Sequence, residues 1–398
     1  MSTVTDDQAG LSQMEVAGRI AKLRRSMVDE RIDCLLVGAL TNIRYLTGFT
    51  GSAAQLLVTH DGARMTTDGR YRTQASEQLR EAGLSKDVEL VVGRIPAQRE
   101  AIVGLVADVA GSAGSSASAG PEGSGSARFG GRVGLEAEHV VWAEQLRWAD
   151  LLAPFCDLVA TSGLVEALRA VKDAGEVSRI ARAASVADLA LADVLGMLAD
   201  GSTETEVALA LDVAMRRHGA EDRAFETIVA SGPNSAKPHA RPGDRIIAPG
   251  DPVVIDFGAV VDGYRSDMTR TFFARAMPTE KMLLVYEAVK RSQAAGVAAV
   301  APGVPTSEID DICRSSLTED GLGEAFEHGT GHGVGIDIHE APWVGPGSAG
   351  NLVPGSVVTV EPGAYLAGIG GVRIEDTVLV TEEGYRVLTS FTKGFSTS

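Results

Sequence analysis

DPVVIDFGAVVDGYRSDMTRTFF, running from Asp251 to Phe273, reads as two strands joined by a tight turn. Val253, Val254, Ile255 and Phe257 flank one side, and Met268, Thr269, Thr271, Phe272 and Phe273 the other. The joint is Asp262-Gly263, a pair that tolerates the positive φ angles of a type I′ turn. With those two residues as the loop, Val261 pairs with Tyr264, Gly258 with Asp267 and Asp256 with Thr269. Asp256 and Asp267 then share a face as diagonal neighbours, about 7–8 Å apart by Cα. Two converging carboxylates repel each other unless a cation or a proton neutralises them. A solvated face would also tolerate them, but Asp256 is embedded in an apolar run and reads as buried.

Further candidates lie downstream. Four of the seven histidines, His239, His328, His332 and His339, form one set, and three of these fall in HGTGHGVGIDIHE (328–340). Glycines around them allow close backbone approach to a ligand, and a neutral imidazole is a good transition-metal ligand. Glu361 in VTVEPG and Glu375 in GVRIEDT each interrupt a β-branched apolar run. A buried carboxylate is costly without a cation or a hydrogen-bond donor, so each is read as a metal ligand or as half of a salt bridge, such as Glu375 with Arg373. Four carboxylates and one imidazole suit Mn²⁺ or Co²⁺ first, with Zn²⁺ or Fe²⁺ as alternatives. The set contains no cysteine, which excludes a structural zinc site. Carboxylates can bridge two ions, and two-metal sites hydrolyse phosphoesters or peptides by activating water.

The chain has 398 residues, 44 % hydrophobic and 22 % charged, with a formal net charge of −17. That length allows two or three domains. The charge argues against nucleic-acid and anionic-membrane partners. Cys34, Cys156 and Cys313 show no framework spacing and suit a reducing compartment. The polar, acidic start is no signal peptide, and no apolar run reaches membrane-spanning length. The expected location is the cytoplasm.

Taken in order, residues 1–12 read as a disordered lead. Residues 13–160 read as an α/β domain, with strands alternating with helices. Val16, Ile20, Leu23 and Met27 mark the buried face of its first helix. Residues 111–132, rich in Gly, Ser and Ala, read as a flexible insertion. The domain boundary is placed near Thr161, and residues 161–398 read as helices plus an antiparallel sheet. In that part, a long helical stretch over 164–198 breaks at Lys172–Gly175. Thr203 and Glu206 form a capping box for a helix through Arg217. Helices are expected at 278–300 and 305–320, and strands at 334–340, 356–362 and 372–381.

The order Asp256, Asp267, His332, Glu361, Glu375, with separations of 11, 29 and 14 residues within its pairs, resembles the metallopeptidases of the methionine aminopeptidase, aminopeptidase P and prolidase family. VVIDFGA, GYRSDMTRTF, HGTGHGVGIDIHE, VEPGAY and GGVRIEDT carry the resemblance, and SGPNSAKPHARPGDR adds His239. NIRYLTGFTGS and TTDGRYRTQA look like the N-terminal domain of aminopeptidase P, prolidase and creatinase. The resemblance implies a creatinase-like α/β N-terminal domain followed by an α+β catalytic domain of the pita-bread fold. It implies two divalent metal ions. Asp256 would hold one, Asp267 and Glu375 would bridge both, and His332 and Glu361 would complete the second. A metal-bridging hydroxide would be the nucleophile and Glu361 a proton acceptor. His239 and His339 would bind substrate and steady the oxyanion, with His328 and Arg373 in support. The implied reaction is hydrolysis of the bond between an N-terminal residue and proline in proline-containing peptides, and the implied assembly is a homodimer. Creatinase-like amidinohydrolases and non-catalytic relatives of this fold lose metal ligands, whereas all five stand here. Xaa-Pro aminopeptidase is preferred over Xaa-Pro dipeptidase (prolidase). The candidate cations Lys237, Arg241, Arg265 and Arg373 are not clearly placed for a substrate carboxylate, and EAPWVGPGSAGN after His339 looks open.

Overall fold

The computed structural model describes residues 10–114 and 131–394. Backbone packing divides the chain into two units, Glu15–Arg169 and the remainder. This division falls later than Thr161. Residues 156–161 form the edge strand of the first unit's sheet, and the short helix that follows packs on that unit's first helix.

The first unit contains, in order, α1 (Arg19–Asp29), β1 (Cys34–Val37), α2 (Leu40–Thr47), β2 (Ala54–Thr59), β3 (Ala63–Thr67), α3 (Arg72–Glu81), β4 (Glu89–Val92), α4 (Ile95–Gly114), β5 (Gly131–Glu136), α5 (Trp142–Leu152), β6 (Cys156–Thr161) and α6 (Leu164–Arg169). The strands form one sheet of order β4-β3-β2-β1-β5-β6. Its β1–β5 and β5–β6 pairs are parallel, and its β1–β2 and β2–β3 pairs antiparallel. Ile20, Leu23 and Met27 of α1 are buried, as is Val16 just before it, so the expected helical face is the one that packs. The proposed insertion is narrower than 111–132, because residues 111–114 belong to α4 and residues 131–132 to β5. Residues 115–130 lie outside the described residues.

The second unit begins with part of the expected lead. Residues 1–9 lie outside the described residues, but Ser12 accepts a hydrogen bond from Arg179 through its carbonyl oxygen, and Leu11 packs on the unit's core. Then follow α7 (Ala174–Val194), α8 (Glu204–Arg217), β7 (Asp222–Arg223), β8 (Ile228–Ser231), β9 (Pro252–Phe257), β10 (Ala259–Val261), β11 (Tyr264–Arg265), β12 (Met268–Phe273), α9 (Glu280–Ala299), α10 (Thr306–Glu319), β13 (Gly331–Gly333), β14 (Glu340–Val344), β15 (Val357–Val360), β16 (Gly363–Leu366), β17 (Gly370–Arg373), β18 (Asp376–Val380) and β19 (Tyr385–Val387). Capping boxes start both α7 (Asp173, Glu176) and α8 (Thr203, Glu206), each satisfying otherwise orphaned helix donors.

The central hairpin has the expected register. Val261 opposes Tyr264, and Asp256 opposes Thr269. Asp262 (φ 44°) and Gly263 (φ 72°) make the turn. Two apolar cores flank the site. One joins α7 and α8 to β8, β9, β10 and β12; the other joins α9 and α10 to β15, β17 and β18.

Two expected strands are corrected. Residues 334–339 form an irregular loop, not a strand, and β13 and β14 lie on either side of it. At Gly335 a side chain would place its Cβ 2.3 Å from the Glu340 carboxylate, so the loop folds back on its own end. The strand expected at 372–381 is two strands in different sheets. β17 pairs with β16, and β18 pairs with β15 and β19. The break falls at Ile374-Glu375, where the chain crosses from one sheet to the other and Glu375 N–H donates to the Thr269 carbonyl.

Candidate active site

Five different segments deliver the candidate side chains. Asp256 sits in β9, Asp267 just before β12, His332 in β13, Glu361 just after β15, and Glu375 at the β17–β18 break. Asp256, Asp267 and Glu375 each offer a carboxylate oxygen, and these oxygens lie within 4.8 Å of one another. His332 Nε2 lies 3.6 Å from Asp267 Oδ2 and 3.4 Å from Glu361 Oε1. Two sets of potential ligand atoms therefore meet at Asp267.

Close backbone packing seats His332. At Gly331 a Cβ would fall 2.1 Å from the Thr359 carbonyl oxygen, so β13 can approach β15 this closely only with glycine there. The Thr359 hydroxyl accepts from His332 N–H and donates to Glu361 Oε1.

These carboxylates sit at a cavity of about 630 Å³ whose wall also includes His239, His328, His339 and Arg373. All nine residues singled out from the sequence therefore line one space. The His339 ring meets the His332 ring edge to face at 4.4 Å between centroids. The ion pair proposed for Glu375 and Arg373 takes a different form, in which the Arg373 guanidinium pairs with Asp256. Arg373 Nε donates to the Thr269 hydroxyl, which donates to Glu375 Oε2 at 2.7 Å.

Charge is concentrated here. Burial, then repulsion from Glu375, Asp256 and Glu361, pushes the Asp267 carboxyl well above the usual carboxylate range. Burial and the charges of Glu361 and Asp256 do the same to Glu375. Burial also opposes the charge on Glu361, but the hydrogen-bonded His332 imidazole outweighs it and holds that carboxyl at about 2. Burial disfavours charge on His332 as well, yet Glu361 raises its pKa. Burial lowers His328, and burial together with His332 lowers His339. Both are therefore neutral imidazoles at neutral pH.

The residues present fit divalent cations. Asp256 Oδ1 and Glu375 Oε1 are buried and have no hydrogen-bond donor among the described residues, which is costly unless a cation meets them.

A profile of metallopeptidase family M24 matches residues 178–382, and one of the creatinase/prolidase N-terminal domain matches residues 19–171. The chain belongs to metallopeptidase family M24. It is a metal-dependent peptidase with the two-domain architecture expected from its motifs. An uncharacterized peptidase of Bacillus subtilis is 36 % identical over 371 residues, 93 % of this chain and 97 % of that one. An Xaa-Pro dipeptidase from Bacillus anthracis aligns with TM-score 0.84 at 36 % identity, covering 95 % of this chain and 98 % of that one. An X-Pro aminopeptidase from Thermotoga maritima aligns with TM-score 0.80 at 30 % identity, covering 94 % and 99 %.

Further residues, not singled out from the sequence as site residues, tie the candidate side chains together. Tyr365 bonds His328 Nε2 at 2.8 Å through its hydroxyl, which also accepts from Arg373 Nη1 at 2.7 Å. Thr269 and Thr359 orient Glu375 and Glu361. Tyr365 does lie in the quoted VEPGAY motif, which was its available signal. Thr269, between Met268 and Arg270, and Thr359, between Val358 and Val360, look like ordinary strand threonines and carry no distinguishing mark.

Proposed function

We propose that this M24 peptidase is an Xaa-Pro aminopeptidase, removing an N-terminal residue that precedes proline. The observation that carries the reading is the convergence of Asp256, Asp267, His332, Glu361 and Glu375 on one cavity together with neutral His339. The names borne by the Bacillus anthracis and Thermotoga maritima relatives support the proline requirement. The first of those names favours a second reading, Xaa-Pro dipeptidase. Three free cysteines suit a cytoplasmic enzyme.

Two divalent ions, Mn²⁺ or Co²⁺, would be held by Asp256, Asp267, His332, Glu361 and Glu375. When bound they would supply Lewis acidity and bring a water's pKa toward neutrality. The chain's own residues do the rest. Glu361 accepts a proton and passes it to the leaving prolyl nitrogen. His339 and His239 face the cavity and donate hydrogen bonds to the oxygen of the scissile carbonyl as it gains charge. Arg373 and Thr269 fix the carboxylates of Asp256 and Glu375, and His328 steadies Arg373 through Tyr365.

The test is a panel of Ala-Pro, Ala-Pro-Phe and Ala-Ala-Phe assayed with Mn²⁺, Co²⁺ and Zn²⁺. Release of alanine from the proline peptides alone is expected; equal cleavage of Ala-Ala-Phe would overturn the reading. His339→Ala is expected to bind metal like the parent and to lose kcat by about a hundredfold, the scale of one missing oxyanion donor. Parent-like kcat in that variant would remove His339 from the proposed role.

A further inference from the structure

The cavity wall carries an aromatic side chain that the proposed chemistry does not use. Trp343 in β14 is 56 % exposed, although large aromatic side chains are mostly buried. Its ring centroid is 6.4 Å from that of His332, at an interplanar angle of 57°. An extended peptide advances about 3.4 Å per residue. A chain laid with its scissile carbonyl beside His332 and its C-terminal side toward β14 would meet Trp343 about two residues on, past the proline. Tryptophan faces bind prolyl and other apolar side chains well, because they offer a rigid surface at little cost in conformational entropy.

The charges in the cavity point the same way. Among the described residues, Arg373 and Arg241 are the arginines that line it, and no lysine does. Arg373 is buried and donates to Asp256, Tyr365, Thr269 and the Pro238 carbonyl, so four of its five N–H donors and its ion pair are committed within the protein. The Arg241 side chain is 88 % exposed and lies 3.8 Å from Glu226, itself on the cavity wall. With two divalent ions offsetting the four ligand carboxylates, a carboxylate borne by the proline itself would still find no uncommitted buried arginine or lysine on the wall to receive it. A chain that continues with an apolar residue brings no charge there and covers Trp343.

We propose that Trp343 is the specificity residue for the position after proline, stacking on an apolar or aromatic side chain there, and that it makes tripeptides and longer chains the preferred substrates. This rests on the Xaa-Pro reading of the same cavity. The test compares kcat/KM for Ala-Pro and Ala-Pro-Phe in the parent, Trp343→Ala, Trp343→Phe and Arg241→Ala. The parent should prefer Ala-Pro-Phe by about tenfold or more, the discrimination expected of one apolar contact. Trp343→Ala should lose about tenfold on Ala-Pro-Phe and less than about twofold on Ala-Pro, and Trp343→Phe should keep most of the preference. Quenching of tryptophan fluorescence by the product Pro-Phe should disappear in Trp343→Ala. Equal losses on both substrates would overturn the proposal. So would a parent that prefers Ala-Pro and loses that preference in Arg241→Ala, which would make Arg241 a carboxylate clamp. A parent that cleaves neither peptide with any metal would defeat the Xaa-Pro reading itself, an outcome distinct from either of these.

Discussion

Asp267→Ala is expected to lose metal and activity together, with kcat/KM on Ala-Pro-Phe falling by about three orders of magnitude, the upper scale for losing one preorganised electrostatic group. Chelation of the parent should do the same, with recovery on adding Mn²⁺ or Co²⁺. Asp267 is the residue at which the Asp256–Glu375 set and the His332–Glu361 set meet. Stability should move the other way. In the metal-free protein, burial and neighbouring carboxylates hold Asp267 and Glu375 well above the usual carboxylate range. A carboxyl whose pKa is raised by folding contributes stability while both states are protonated. It loses that contribution as pH rises from the unfolded value toward the folded one. The chelated parent should therefore lose part of its melting temperature as pH rises above about 4, the unfolded carboxylate value. Chelated Asp267→Ala should lose less over the same range and melt no lower than the chelated parent at neutral pH. Adding Mn²⁺ at about a hundred times its Kd should stabilise the parent by about 2.7 kcal/mol and leave the variant unchanged. Calorimetry with and without chelator reads all four states. Full turnover by rigorously metal-free parent, or metal-dependent melting in Asp267→Ala, would refute the assignment.

Which of these features the sequence carried depends on how local their cause is. The hairpin was legible because Asp262-Gly263 fixes the register and that register alone brings Asp256 and Asp267 together. The α8 cap and the buried face of α1 were legible for the same reason, since their patterns lie within a few residues. Asp256, Glu361 and Glu375 stood out because each interrupts an apolar run, His332 because it stands among glycines, and Asp267 because the hairpin register sets it beside Asp256. α4 went unread because its small residues give weak amphipathic contrast and shade into the Gly/Ser-rich stretch that follows. The 334–340 segment alternates like a strand, but the alternation there reflects Val334 and Ile336 plugging the core from a loop. The polar supports were out of reach, because Thr269 and Glu375 are 106 residues apart and Arg373 and Asp256 are 117 apart. Pairs of that kind are created by the crossing of sheets and leave no spacing to read.

The Lys172–Glu340 pair belongs to this unread class, and its loss should have the largest effect on stability. Lys172 lies in the break between α6 and α7, and Glu340 directly follows His339. Their side chains are 1 % and 5 % exposed, with Nζ 2.8 Å from Oε1. The same carboxylate closes the 334–339 loop, accepting from Asp337 N–H and packing against Gly335. Lys172→Met keeps the length and apolar stem of the side chain but removes the ammonium. The Glu340 charge then stays buried without it, which costs about 3–5 kcal/mol. The melting temperature should drop by about 10 °C, given a few degrees per kcal/mol at this size. Adding Glu340→Gln should recover part of the loss, because an amide is cheaper to bury than a carboxylate. The non-additivity of the pair of changes isolates their coupling. The loop also ends in His339, so Lys172→Met should retain metal yet lose kcat more than KM changes, since its effect passes through the residue proposed to act on the transition state. A Lys172→Met protein that melts within about 2 °C of the parent, a shift of under 1 kcal/mol, would show that the ammonium contributes little to holding this loop.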